Sequence, residues 1–67
     1  MKIEKTERGN IYFKIYEVKA MELNGEITTV KFYSDKELAE NYLEFANRVY
    51  DEIYKKTWIT SHLVWMN

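Results

Sequence analysis

Between Val30 and Leu38 the chain changes its hydrophobic period, and that change constrains the architecture more than any other stretch. Val30-Lys31-Phe32-Tyr33 alternates as a strand does, and Ser34-Asp35-Lys36-Glu37-Leu38 then opens a helix. Ser34 is placed to cap that helix with Glu37 at N3, and Tyr33 to pack on Leu38 as a hydrophobic staple. Everything before the junction reads as strand and the next twenty or so residues as one helix.

Before the junction, Ile11 to Leu23 and Ile27 to Tyr33 are rich in aromatic and β-branched residues and flank Asn24-Gly25. A two-residue turn would set Lys19 opposite Val30 and Glu17 opposite Phe32, with charges facing core residues. A three-residue loop Leu23-Asn24-Gly25, with Gly25 left-handed in a G1 bulge, instead pairs Tyr16 with Phe32, Val18 with Val30 and Ala20 with Thr28. The other face then sets Glu17 beside Lys31 and Met21 beside Ile27. The bulged register is the expectation.

After the junction, Leu38, Tyr42, Phe45, Val49 and Ile53 recur at helical spacing, widened by Ala39, Leu43, Ala46 and Tyr50, so the helix is expected from Asp35 to about Lys56. The opposite side carries Glu40, Glu44, Arg48, Asp51, Glu52, Lys55 and Lys56, with acid-to-base pairs four residues apart. Trp58-Ile59-Thr60-Ser61-His62-Leu63-Val64-Trp65 reads as a last strand, antiparallel to the first hairpin strand. Met1 to Thr6 either adds a short edge strand through Arg8-Gly9-Asn10 or frays. The chain is therefore expected to form a single small α+β domain over residues 1–67. Its antiparallel sheet has three strands, or four with the N-terminus, in the order 2-1-3, and one long helix packs on one face (ββαβ).

Composition removes several chemistries. Ten basic and eleven acidic side chains leave a net charge of −1, which gives neither a broadly basic surface for nucleic acid nor a strongly acidic one. There is no cysteine, hence no disulfide, thiolate nucleophile or cysteine zinc site, and a cytoplasmic location is the expectation. Neither a signal peptide nor a membrane-spanning apolar run is visible, and no membrane association is expected. Eleven aromatic residues (six Tyr, three Phe and two Trp) supply much of the available burial.

No phosphate loop, dinucleotide fingerprint, metalloprotease helix or nucleophile elbow is present, and His62 is the sole histidine. Thr60, Ser61 and His62 suggest a hydroxyl–imidazole pair, but neighbours in a strand point to opposite faces, and His62 reads as a partly exposed strand residue. One histidine and scattered carboxylates do not make a metal-ligand set, so no cofactor and no catalytic site are expected. Glu37, Glu40 and Glu44 read as a solvated helix flank. Lys14, Lys19 and Lys31 with Tyr12, Phe13 and Tyr33 offer an aromatic and basic sheet surface for single strands, interrupted by Glu17 and Glu22.

One helix cannot cover both faces of the sheet. If Tyr16, Val18, Val30 and Phe32 face it, then Ile11, Phe13, Ile15 and Tyr33 emerge on the other side, and Trp58 and Trp65, of opposite parity, put at least one indole there or at the edge. These six residues form the expected protein-contact surface, unless the N-terminal segment folds over it.

Tyr16-Glu17-Val18, then Val30 to Tyr42 with its Phe-x-Ser-x-x-x-x-Ala pattern, then Ile59 to Trp65, resembles the small ββαβ accessory proteins of bacteriophages and prophages. The Ile-, Lys-, Tyr- and Asn-rich composition is similar to that of low-GC bacteria and their phages. The resemblance implies a role without a shared active site: a non-enzymatic module that binds and inhibits or modulates a host or defence protein, anti-CRISPR proteins included. The alternatives are a small nucleic-acid-binding or regulatory domain and a homodimeric structural protein.

Overall fold

The computed structural model describes residues 2–66, so Met1 and Asn67 lie outside the described part of the expected domain. The elements in chain order are β1 (Ile3–Lys5), β2 (Ile11–Glu22), β3 (Ile27–Tyr33), α1 (Lys36–Val49) and β4 (Tyr54–Trp65). They make one four-stranded antiparallel sheet with one helix, an α+β fold. β2 is its spine. β4 runs along one edge of β2 from Tyr12 to Glu22, while β3 takes the other edge over Tyr16 to Met21 and β1 continues that edge over Ile11 to Phe13. The hairpin and last strand thus have the expected 2-1-3 order, and the N-terminus adds the short edge strand rather than fraying.

The hairpin closes as its glycine requires. Gly25 has φ 92°, and its N–H donates to the Glu22 carbonyl (2.9 Å), while the Glu22 N–H donates to the Glu26 carbonyl (2.8 Å). Next to this loop the expected pairs Met21 with Ile27 and Ala20 with Thr28 form. Beyond Lys19 opposite Thr29, the register shifts by one because Val30 bulges out of the ladder. Glu17 therefore faces Phe32, Val18 faces Lys31 and Tyr16 faces Tyr33. This corrects the uniform register. A bulge exchanges the two faces of everything beyond it, so Phe32 leaves the expected core side and Tyr33 takes its place.

The helix also differs from its expectation. Its N-cap is Asp35, one residue later than Ser34, with Asp35 Oδ1 accepting from the Glu37 N–H (3.0 Å). Tyr33 meets Tyr42 on the helix, ring centroids 5.7 Å apart. The helix stops at Val49, because Tyr54 to Thr57 are taken by pairing with Ala20 to Glu22, and a long ladder outweighs weak helical periodicity. Asp51 with Lys55 and Glu52 with Lys56 consequently lie outside the helix and are not helical neighbours.

The core is thin. Val18, Ala20, Ala39 and Ala46 are fully buried, whereas Leu38, Phe45, Val49 and Ile53, expected to face the sheet, are about half exposed. The two alanines let the helix lie close to the sheet on its Ala39–Leu43–Ala46 side. The ridge Leu38–Tyr42–Phe45–Val49 is left along its flank. Tyr33, Tyr42, Phe45, Tyr50 and Tyr54 form a chain of ring contacts at 5.7–6.2 Å from β3 across the helix to β4. Lys31 Nζ sits 5.4 Å from the Tyr33 ring and 5.5 Å from the Tyr42 ring.

Candidate functional site: the open sheet face

Strand alternation and the register divide the side chains between two faces. On the helix side lie Tyr12, Lys14, Tyr16, Val18 and Ala20 of β2, with Lys31 and Tyr33 of β3 and Ile59, Ser61, Leu63 and Trp65 of β4. On the face without a helix lie Ile11, Phe13, Ile15, Glu17 and Lys19, with Ile3, Phe32, Trp58, Thr60, His62 and Val64. Of the six expected contact residues, the structure brings Ile11, Phe13, Ile15 and Trp58 together on this open face. Tyr33 and Trp65 are on the other side: Tyr33 because of the Val30 bulge, and Trp65 because it stands opposite Tyr12, ring centroids 5.1 Å apart. Sequence reasoning missed Phe32, which is 55% exposed on the open face. No periodicity signals its orientation; only the bulge decides it.

At the centre of this face sits a polar cluster. Glu17, in the middle of the spine strand, is buried and accepts hydrogen bonds from Thr29 of β3 and from Thr60 of β4 (3.3 Å), and its Oε1 lies 2.8 Å from His62 Nε2. The Thr29 bond, foremost, and then the His62 contact favour the carboxylate and hold the Glu17 pKa below its ordinary value, against the opposing effect of burial. The Lys19 charge acts in the same direction. Lys56 Nζ lies 5.4 Å from the Trp58 ring on the same face.

This geometry bears on the hydroxyl–imidazole idea. Thr60 Oγ1 lies 3.3 Å from His62 Nε2, the same nitrogen that contacts Glu17. A relay needs the acid on one ring nitrogen and the nucleophile on the other, so this arrangement orients no base toward Thr60. The cluster is a carboxylate satisfied by three donors. Among the described residues no three His, Asp or Glu side chains converge as metal ligands.

The basic and aromatic surface considered for single strands is divided between faces. Lys19 and Phe13 lie on the open side, while Lys14, Tyr12, Lys31 and Tyr33 lie on the helix side. Beyond the helix N-terminus a shallow cleft of about 420 Å³ is lined by Lys2, Lys14 and Lys36 together with Glu4 and Asp35, so its charges nearly cancel. Among the described residues no helix is long and apolar enough to cross a membrane. The chain matches no family model, no curated protein and no solved structure.

Proposed function

We propose that this chain is a non-enzymatic protein-binding module that docks a target on its open sheet face. The observation that carries the reading is the layout of that face: large apolar side chains, Phe13, Ile15, Phe32 and Trp58, lie around the hydrogen-bonded Glu17 cluster, and among the described residues no second layer covers them. Aromatic and apolar anchors on an uncovered face, with the buried polar groups among them hydrogen-bonded, suit a protein interface. The resemblance to small phage accessory proteins supports a target in a bacterial host, a defence protein that the module inhibits or modulates in the cytoplasm.

The test is affinity capture from a bacterial lysate, with a Phe13→Ala/Phe32→Ala variant as control, followed by titration of the purified captured protein. The expected result is one protein retained by the native chain and lost by a control whose circular dichroism is unchanged. Equal retention by both would remove this face as the docking surface.

A further inference from the structure

We infer that β4 pairs along its outer edge with β4 of a second copy, antiparallel about a two-fold axis at Thr60. The inference is independent of what docks on the open face.

β4 is a 12-residue strand that pairs, among the described residues, only with β2. The Met66 N–H donates to the Ile11 carbonyl (2.8 Å), and the register is unbroken from there to Lys56 opposite Met21. Antiparallel hydrogen-bonded pairs alternate, so the even-numbered residues bond inward to β2, and the backbone groups of Thr57, Ile59, Ser61, Leu63 and Trp65 point to the outer edge. Edge strands are ordinarily guarded by charge, proline or bulges. From Thr57 to Trp65 there is no Asp, Glu, Lys, Arg, Pro or Gly. The bulge in β4's ladder with β2 falls only at its beginning, between Met21 and Glu22.

A second copy suits this edge. A two-fold axis at Thr60 sets Ile59 against Ser61 and Thr57 against Leu63 as hydrogen-bonded pairs. It sets Thr60 against Thr60, Trp58 against His62 and Lys56 against Val64 between them. The only Lys or Arg charges of β4, Lys55 and Lys56, end at opposite ends of the paired strands, whereas a parallel pairing in register would stack them. Each helix lies over the Tyr54–Ser61 half of its own β4, so the two helices occupy different halves of the joined sheet. The edge strip is about 40 Å long and the molecule 13 Å thick. Pairing therefore removes on the order of 1,000 Å² from water, at the low end of specific interfaces.

The chain has no cysteine, which permits a direct test. Thr60→Cys and Lys55→Cys are each treated with oxidised glutathione, and the native chain and Ser61→Pro are sedimented across a concentration series. Ser61 directs its N–H outward, so proline there leaves the ladder to β2 intact. The expected result is a concentration-dependent dimer, a covalent dimer from Thr60→Cys and none from Lys55→Cys, and a Ser61→Pro chain that is monomeric with native circular dichroism. Should Ser61→Pro misfold, the two cysteine variants decide alone. A native chain that stays monomeric, or a dimer in which Thr60→Cys cross-links no better than Lys55→Cys, would overturn the inference.

Discussion

At the residue scale, two positions carry consequences that a single substitution exposes. A Cβ at Gly25 would meet nothing within 4 Å, so the cost of Gly25→Ala comes from backbone conformation at φ 92° and from no clash. Urea denaturation should show a loss of about 1–2 kcal/mol, and Gly25→Asn should lose less, because asparagine tolerates the left-handed region. Glu17 is the second position. Its pKa is lowered in the folded chain by the Thr29 and His62 contacts, so it contributes stability above the ordinary glutamate range, and that contribution is lost as pH falls through the folded-state value. Thermal melts of the native chain should therefore fall in midpoint on acidification from the ordinary glutamate range downward. Glu17→Gln should be less stable at neutral pH and show a flatter acid limb.

At the scale of elements, the helix shows what the sequence could convey and where it fell short. The strand-to-helix change at Ser34-Asp35 is real, but Asp35 and not Ser34 carries the capping bond. Both are competent caps, and their order along the chain does not choose between them. Asp35→Ala should cost about 1 kcal/mol in urea denaturation while Ser34→Ala changes little. The helix end was not legible because Tyr50 to Lys56 fits both a last helical turn and a strand. The choice is made by β2, distant in sequence. The Gly25 loop and the pairs beside it were legible, since a left-handed glycine admits few hairpins. The Val30 bulge left no local mark. Of the expected apolar stripe, Ala39 and Ala46 are buried, whereas the larger Leu38, Phe45 and Val49 are about half exposed, because close approach to the sheet suits small side chains. Ala46→Leu tests that contact: a larger side chain there should push helix from sheet at a cost of roughly 1–3 kcal/mol, whereas Val49→Ala, on the exposed ridge, should change stability little.

At the scale of the whole molecule, the shape is long and thin, 46 × 21 × 13 Å, with a helix of 14 residues over strands of 12. The helix spans about 21 Å against strands of about 40 Å, so Tyr12, Leu63 and Trp65 extend past its N-terminus. A core whose fully buried members are one valine and three alanines is small even for this length, and assembly is the usual remedy. The thermal midpoint should accordingly rise with protein concentration, as it does when folding is linked to association, and calorimetry from micromolar to millimolar concentration measures it. The Val30 bulge has its own consequence at this scale. With Val30 left outside the ladder, Phe32 lies on the open face while Tyr33 joins the ring contacts of the helix. In the terms of a gene, the codon for Val30 is dispensable to the facing of the residues after it. An in-frame loss of Val30 would remove the bulge and still set Lys31 beside Val18 and Phe32 beside Glu17, so this surface should survive a single-codon deletion, whereas a chain that kept Val30 and took it into the ladder would turn both aromatics over.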